Sequence, residues 1–566
     1  MSCDQATYQA SFPSPFVFIP REPVTLVELR MRRFAGLVRA KSDWWKKVQD
    51  AGLVAKWRAE IVEQDSAAVK QFWGGHERYE FGNGEKQWPR DPITDAQLDY
   101  IFDQLKYEAG QLDTTAKGIF ATMVPNVYES RSLIPAEAKS SLLSLVSALE
   151  DVPKSEKDWH PGSHKQVLDL VHPSLYPLRI GHSYVREKSV PGENLGVHVL
   201  STEEYFSQRA DFEIYGAETT PFRSTTRVAT ALGYINNLHP GQHRAGYAAI
   251  SAILSRFIPL FETVLSDVLC PPTPLVVRVD PFAWYDHFYE EDEDGEGSAD
   301  DDEDDYDDLE KEHWPLIPDP PRFSPPSSED RVQFKLCGRT VQIIVKLANI
   351  VLTPKKPKYP GGSWHVEGMA NEKIVATGLY YYACDNITQS RLGFRTVVGN
   401  GHEPEDRDQL PYEQYDARGY YTAYGFGGGD PLNQKLGHVV AEEDKCIAFP
   451  NLYQHRVDPF ELADPTKPGH RKILCFFLVD PLTRIHSTSD IPPQQEKWLT
   501  DEMLRAPGLQ VLPGELIKMI ADHATEATMS QQEAEEHRER IMHERQTFVL
   551  WHNEDVYEVE FNMCEH

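Results

Sequence analysis

The chain has 566 residues, of which 40% are hydrophobic and 11% aromatic, and this composition excludes a mainly disordered protein. Its formal net charge of -31 argues against a nucleic-acid-binding surface as its main property. We find no run of about 18 uncharged apolar residues, so no membrane-spanning helix is expected.

The cysteines and the N-terminal residues indicate the cellular compartment. The seven cysteines are an odd number and widely spread, with no CxxC pair, so they indicate neither a disulfide framework nor a zinc ribbon. The opening residues lack the basic start and apolar stretch of a signal peptide. We therefore expect a reducing compartment, the cytoplasm or the nucleus.

The first third of the chain has a helical pattern. Apolar residues at helical spacing predict helices over about 25–63, 94–108 and 135–149, and a later amphipathic helix over about 244–268. Residues 1–90 are expected to form an N-terminal helical region. Its basic residues are read as the solvated side of amphipathic helices rather than as a nucleic-acid or membrane face.

An acidic tract interrupts the middle of the chain. Residues 290–310 contain 15 Asp or Glu and no Lys or Arg. Such a run cannot bury a core, so a disordered insertion is expected over about 290–328. A solubilising linker is the favoured interpretation, while calcium binding and docking of a basic protein partner stay open.

The pattern changes to strands after residue 331. Residues enriched in β-branched and aromatic types predict strands at 332–336, 340–352, 374–382, 393–398, 439–440, 446–449 and 472–479. Short strands without alternating helices predict an α+β fold with a sandwich or jelly-roll core, within a domain of residues 91–500. Residues 501–566 are expected to be a helical C-terminal extension, with a strand-like tail over 548–561.

One short stretch suggests a metal site. His365 and Glu367 follow a Pro-Gly-Gly turn, and in an extended strand residues i and i+2 point to the same side. They would supply two thirds of the 2-His-1-carboxylate set that binds Fe(II). The pair alone is weak, because a chain with 21 His and 88 acidic residues contains such pairs by chance.

Two later residues complete the pattern. His455 follows a predicted strand and is a candidate third ligand, and Arg471 opens the next strand. Two imidazoles and one carboxylate leave positions open on the metal for an oxo acid and O2. The planar guanidinium of an arginine can pair with the far carboxylate of 2-oxoglutarate.

The order His-x-Glu, His, Arg resembles that of the Fe(II)/2-oxoglutarate-dependent oxygenases, which have a double-stranded β-helix (cupin-like jelly roll). Longer stretches resemble the largely fungal DUF4246 family, over most of the chain: GGSWHVEGM at 361–369, NEKIVATGLYYY at 371–382, SRLGFR at 390–395, HRVDPFELADPTKPGHRKIL at 455–474, YINNLHP at 234–240 and PPQQ at 492–495.

The resemblance implies Fe(II) bound by His365, Glu367 and His455, with 2-oxoglutarate paired to Arg471. O2 would then oxidise a C–H bond of a small-molecule substrate, such as an amino acid or a secondary metabolite. Hydroxyls on the strand after the metal pair often bind the cosubstrate in such enzymes, which makes Thr377 and Tyr380 candidates, although core packing is an alternative for each.

Other interpretations stay open. Arg391 and Arg395 could bind a substrate carboxylate or form surface salt bridges. A JmjC-like protein hydroxylase is a further enzyme reading, but such proteins generally bind 2-oxoglutarate with a lysine. The alternative from another class is a non-catalytic cupin-like protein that binds a metal, or a basic partner through the acidic tract.

Overall fold

The structure, a computed structural model, describes residues 12–19, 21–74, 87–115, 118–187, 196–207, 220–224, 229–270, 275–285, 314–326, 332–399, 410, 412 and 416–563. The acidic tract at 290–310 lies outside these residues, so its predicted disorder stays a prediction. The described part has an α+β fold with a large antiparallel sheet and flanking helices.

The helices lie mainly in the N-terminal half and at the C-terminal end. They are α1 (Leu26–Arg39), α2 (Trp44–Lys47), α3 (Ala51–Trp73), α4 (Asp95–Thr115), α5 (Ala136–Glu150), α6 (Thr202–Ser207), α7 (Arg244–Leu269), α8 (Ala417–Tyr424), α9 (Glu496–Arg505), α10 (Gly514–Ala524) and α11 (Gln531–His552). Local sequence sets their starts: the Thr25 and Asp50 side chains accept backbone N–H groups in the first turns of α1 and α3.

The strands are concentrated after residue 339. They are β1 (Phe120–Ala121), β2 (Tyr128–Ser130), β3 (Val167–Val171), β4 (Tyr184–Arg186), β5 (Val197–Val199), β6 (Thr220–Ser224), β7 (Ala229–Ala231), β8 (Thr340–Leu352), β9 (Lys358–Tyr359), β10 (Ile374–Asp385), β11 (Ser390–Val397), β12 (Asn433–Ala441), β13 (Cys446–Pro450), β14 (Gln454–Val457), β15 (Phe460–Glu461) and β16 (Gly469–Val479).

Two antiparallel sheets organise the C-terminal half. In the described part of the chain, the large sheet has the order β1-β2-β13-β10-β16-β8-β6-β7, with β3 also paired to β8. The small sheet has the order β12-β11-β14. Two short pairs, β15-β9 and β4-β5, complete the pairing.

Each face of the large sheet carries its own hydrophobic core. One face packs against α7 and α5, through residues such as Phe257, Phe476 and Leu474. The other face packs against the small sheet, through residues such as Phe449, Phe477 and Phe394. Because β10 and β16 are buried on both faces, they are nearly continuous apolar runs.

Helix α7 is the core helix of the molecule. In length and apolar composition it could cross a membrane. It packs on the large sheet. Phe257 and Phe261 lie so close to Gly378 of β10 that a side chain at position 378 would not fit. A helix buried in this way is typical of a protein core.

The N-terminal helices form a third core. Helices α1 to α4 pack around buried residues that include Phe34, Trp44, Trp88 and Leu105. Helix α4 begins at Asp95, beyond the boundary expected at residue 90, yet it packs with α1 and α2. The division of the chain into domains therefore stays a prediction.

One predicted strand is wrong, and another is right only at its end. Residues 332–336 are extended but join no sheet within the described part of the chain, because the backbone N–H groups of Phe334 and Leu336 donate to the side chains of Ser266 and Glu262 on α7. Residues 548–561 begin as helix, since α11 continues to His552, and a π-helical turn follows at Asn553–Tyr557. Only near the end of this segment does Glu560 form an isolated antiparallel bridge, with Pro431.

The π-helical turn and the residues after it form a strap, 553–561, across the small sheet. Glu558 pairs with Arg395 of β11 at 2.7 Å, and the backbone N–H of Leu432 donates to the carbonyl of Val559 at 2.7 Å. The Tyr557 hydroxyl donates to the carbonyl of Leu452, in the turn before β14. The strap thus secures both the small sheet and the segment that carries His455.

Candidate metal centre

The turn before His365 is fixed by glycine. Gly361 has a φ of +93°, and a Cβ there would lie 2.9 Å from the carbonyl oxygen of Val457. The backbone N–H of Gly362 donates to that same carbonyl at 2.9 Å. Only glycine suits this backbone conformation and close approach, so the Pro-Gly-Gly turn docks the following residues onto β14.

His365 then pairs with His455 across the sheet. The two residues form an isolated antiparallel bridge, with N–H to carbonyl distances of 3.3 and 2.9 Å in the two directions. Their imidazole rings lie 4.5 Å apart. The bridge adds the His365 segment to the small sheet beside β14.

Glu367 completes the group. Its Oε1 lies 3.2 Å from Nε2 of His455, and ligand atoms of His365, Glu367 and His455 all lie within 4.8 Å of one another. Distances of this size suit three ligands around one metal ion, because metal–ligand bonds of about 2.0–2.2 Å separate neighbouring ligands by roughly 3 Å. The three residues selected from the sequence therefore come together.

An asparagine that sequence reasoning missed holds this arrangement. Asn451 lies in the turn between β13 and β14, and its Oδ1 accepts the backbone N–H of Glu367 at 2.8 Å. Its Nδ2 donates to the carbonyls of Glu367 and Ile374 at 2.9 and 3.0 Å. The sequence signal that could have indicated this role is the position of Asn451 in the Phe449-Pro-Asn451 stretch, just before His455.

The protonation states favour a cation. Nδ1 of His365 lies 2.9 Å from the carbonyl oxygen of Ser363, so Nδ1 carries the proton and Nε2 keeps its lone pair. Burial, followed by the neighbouring His455, lowers the pKa of His365 to about 4. His365 is therefore neutral at pH 7, as a metal ligand must be.

The carboxylate is ionised. Burial alone would raise the pKa of Glu367, but the hydrogen bond with His455 and the electrostatic interactions with the His455 and His365 rings outweigh it and lower the pKa to about 2. Lys346 on β8 adds to this effect. Its ammonium has no ion pair within the described residues.

A second group has the same composition. His160, Asp169 and His172 also bring their ligand atoms within 4.8 Å of one another, and sequence reasoning missed them. Nδ1 of His160 lies 2.8 Å from Oδ2 of Asp169. Burial opposes ionisation of Asp169, but the hydrogen bond from His160 and the charge of His172 lower its pKa to about 2.

Hydrogen bonding separates the two groups. The backbone N–H of Ser174 donates to Nδ1 of His172 at 3.2 Å. Nδ1 of His172 therefore carries the lone pair, and the proton stays on Nε2, the nitrogen that faces Asp169. In contrast, Nδ1 of His455 has no hydrogen-bond partner among the described residues, so it can take the proton and leave Nε2 for a metal. We therefore read the second group as a hydrogen-bonded structural cluster and keep His365, Glu367 and His455 as the candidate metal centre.

Arg471 is buried on the face of β16 that meets the small sheet. Its Nη1 donates to Oγ of Ser390 at 2.8 Å, and its guanidinium lies between the rings of Tyr381 and Phe460, at 5.6 and 5.5 Å. Its Nε is buried and finds no hydrogen-bond partner among the residues that the structure describes. No carboxylate pairs with it among the residues described, although a buried guanidinium normally requires one.

Thr377 and Tyr380 lie on opposite faces of β10. Thr377 is fully buried between Phe449 and Phe477 on the inter-sheet face, and within the described part of the chain its Oγ1 has no hydrogen-bond partner. Tyr380 belongs to the core against α7, and its hydroxyl donates to Asp444. The expectation for Tyr380 is therefore corrected: strand alternation turns it away from the centre, and Tyr381 faces Arg471 instead.

Two protein-family profiles match the chain. The profile of the family described as "Protein of unknown function (DUF4246)" matches residues 95–502, and that described as "Domain of unknown function DUF4246, N-terminal" matches residues 3–60. No protein with a curated description matches the chain.

Two solved structures are similar at low level. One is an Fe(II)/(alpha)ketoglutarate-dependent dioxygenase, TqaL, with 10% identity and a TM-score of 0.21; the match covers 46% of this chain and 66% of TqaL. The other is a bsmA homolog from Methylobium petroleophilum PM1, with 10% identity and a TM-score of 0.23. That match covers 61% of this chain and 86% of the homolog.

Proposed function

The chain belongs to the DUF4246 family, and we propose that it is an Fe(II)- and 2-oxoglutarate-dependent oxygenase that oxidises a C–H bond of a small molecule. The observation that carries the proposal is the convergence of His365, Glu367 and His455, with ligand atoms within 4.8 Å of one another. The family description records no activity, so the proposal rests on the chemistry of this site.

Strand order supports a jelly-roll core. The segments β8, the His365 bridge, β10, β11, β12, β13, β14 and β16 follow one another along the chain. Four belong to the large sheet, in the order β13-β10-β16-β8, and four to the small one, in the order β12-β11-β14 and the bridge. Two facing four-stranded sheets are the architecture of a double-stranded β-helix.

The donor set suits Fe(II). Two neutral imidazoles and one carboxylate are the ligands of the facial triad, which leaves positions open for other molecules. His365 offers a lone pair at Nε2, and Glu367 offers an ionised oxygen. Ligands without a thiolate favour iron over a structural zinc site.

The surroundings of Arg471 suit 2-oxoglutarate. Its planar fork can bind a carboxylate through two parallel hydrogen bonds, and the Ser390 hydroxyl beside it can add a third. Thr377 has a buried hydroxyl without a hydrogen-bond partner among the described residues, and a bound oxo acid could supply one. With iron bound, 2-oxoglutarate and O2 would supply the oxidant, yielding succinate, CO2 and an oxidised substrate.

The protein contributes positioning and shielding. Phe394 and Phe449 pack beside the His455 ring, with ring centroids at 6.4 and 5.0 Å, and exclude water from that side. Asn451 holds the Glu367 backbone, and Ser363 fixes the tautomer of His365. These contacts orient the ligands before a metal arrives.

A spectroscopic experiment tests the proposal. Anaerobic addition of Fe(II) and 2-oxoglutarate to the full chain should give a weak visible charge-transfer band, and admission of O2 should then produce succinate. Glu367→Ala should give neither, whereas His160→Ala in the second group should retain both. Iron binding without a band or succinate would instead favour a non-catalytic metal-binding protein.

A further inference from the structure

The outer face of the small sheet is basic. Register places Gly393 of β11 between His438 of β12 and Arg456 of β14, so these three residues share a face. Arg391 lies two residues earlier on the same strand and therefore on the same face. His455 points the other way, into the inter-sheet core.

Helices α1 and α3 cover this face and leave a cleft of about 570 Å³. This volume is in the range of sites for small organic molecules. Among the described residues, the cleft is lined by five Lys or Arg and two Asp. The whole chain has the opposite balance, with 57 Lys or Arg and 88 Asp or Glu. The lining of the cleft is therefore positively charged, whereas the chain as a whole is negatively charged.

Two arginines stack on tryptophans at opposite walls. Arg33 of α1 lies over the ring of Trp88, at 5.1 Å from its centroid. Arg456 of β14 lies over the ring of Trp364, at 4.5 Å. Stacking holds a guanidinium flat and limits its rotamers, so less entropy is lost when it binds an anion.

These positive charges are poorly compensated. Arg33 and Arg391 have no carboxylate partner in the part of the chain that is described, and Arg391 bonds only to the side-chain oxygen of Gln389. Arg456 has only a long ion pair with Asp458, at 3.6 Å from its Nε, and that buried Nε has no hydrogen-bond partner among the described residues. In contrast, Arg30 of α1 is neutralised by Asp65 at 3.1 Å.

The charges act on one another. Burial, followed by the charge of Arg391, lowers the pKa of Arg33. Burial also lowers the pKa of His438 to about 4, and Arg391, Arg33 and Lys445 add to that shift. Like charges that oppose ionisation of their neighbours mark a positive potential, which a cleft concentrates.

We propose that this cleft is a second binding site, which takes a small organic anion with a phosphate or carboxylate group on an apolar body. Arg33, Arg391 and Arg456 would bind the anionic group, since guanidinium groups match both anions. Apolar side chains such as Leu29, Phe34 and Trp88 also line the cleft and would contact the body of the ligand. The site lies on the opposite face of β14 from the metal ligand His455, and the inference stands without the proposed oxygenase activity.

Titration calorimetry on the metal-free full chain tests the site. Phenyl phosphate and phthalate, in low-salt buffer, serve as the phosphate and carboxylate probes. At least one probe should bind with a Kd below about 1 mM, and the preferred probe identifies the anionic group. The double variant Arg33→Gln/Arg391→Gln should weaken binding about tenfold or more, because two charged hydrogen-bond donors are lost.

Two control variants make the result specific. Arg58→Gln removes an arginine of α3 that pairs with Asp95 and Asp99 outside the cleft, and Arg471→Gln removes the arginine of the metal-centre side. Both should bind the probe as the unmodified chain does. Binding no tighter than about 10 mM for both probes, or equal weakening by Arg471→Gln, would overturn the assignment.

Discussion

Nε2 of His455 lies 3.2 Å from Oε1 of Glu367, although the two residues are 88 positions apart in the sequence. The contact joins the loop after β9 to β14, and it keeps the carboxylate ionised beside an imidazole. Both residues are held in place by backbone contacts. Asn451 fixes the backbone of Glu367, and the bridge to His365 fixes the backbone of His455.

The first prediction concerns metal affinity. His365→Ala and Glu367→Ala should each weaken Fe(II) binding by more than about 100-fold, because losing a ligand costs more than losing a residue that only orients one. Succinate formation should disappear in both. Anaerobic calorimetry and a succinate assay provide the measurements. His160→Ala should keep the affinity of the unmodified chain, and turnover by either alanine variant would contradict the assignment.

The second prediction separates the cosubstrate from the metal. Arg471→Gln should raise the KM for 2-oxoglutarate by about 100-fold, since two charged hydrogen bonds are lost, while Fe(II) affinity changes by less than about threefold. Arg471→Lys should fall between, because a lysine retains the charge but not the planar fork. A selective loss of iron would place Arg471 in a different role.

The third prediction uses the two faces of β10. Thr377→Val removes a buried hydroxyl that has no hydrogen-bond partner in the described structure, so the melting temperature should stay equal or rise while the KM for 2-oxoglutarate increases. Tyr380→Phe is the matched control, because its hydroxyl faces Asp444 on the α7 side. Steady-state kinetics and thermal unfolding distinguish the two variants. An equal effect of both variants on the KM for 2-oxoglutarate would refute the assignment of Thr377, but not Tyr380, to the face of β10 that meets the cosubstrate.

The fourth prediction concerns pH and His438. Its pKa is about 4 in the folded protein, mainly because of burial and then because of nearby positive charges, against about 6.5 when unfolded. Below pH 6.5 the unfolded chain binds a proton that the folded one does not, so stability falls as the pH drops toward 4. His438→Gln should reduce that slope by at most about 1.4 kcal/mol per pH unit, as measured by urea unfolding.

The fifth prediction concerns packing between β10 and α7. A Cβ at Gly378 would lie 2.7 Å from the ring of Phe257 and 2.9 Å from that of Phe261. Gly378→Ala should therefore lower the free energy of unfolding by about 1–3 kcal/mol. Gly508→Ala is the control, since no heavy atom lies within 4 Å of its Cβ position. Equal stability of the two variants would show that the helix shifts freely.

Sequence reasoning predicted the long elements because each has a strong periodic signal. Strand β8 begins and ends where its β-branched run does, at Thr340 and Leu352, and α7 ends within about one residue of its predicted limit. The wrong strand at 332–336 is short, and its backbone partners on α7, such as Glu262, lie far away in the sequence and leave no local trace. The segment 548–561 alternates like a strand, yet its first residues extend α11 to His552.

The candidate site shows a similar division. The ligand residues could be chosen by type and order, because the chemistry of an iron site demands them. Which residues of β10 face the candidate site could not be predicted, because the strand is buried on both sides and its sequence does not alternate between apolar and polar residues. The supporting residues Asn451, Ser390 and Tyr381 are common polar or aromatic types, whose importance appears only once the strands are paired.

The strap has a consequence for the order in which the protein matures. A ribosome makes Glu558 and Val559 nearly two hundred residues after His365, yet these late residues secure the small sheet that carries the bridge to that histidine. The earlier strands must therefore wait for the strap before the ligand pair gains its final support. Nascent chains that stop short of residue 553 should emerge with a loosely held candidate metal centre, even when the large sheet and α7 are complete.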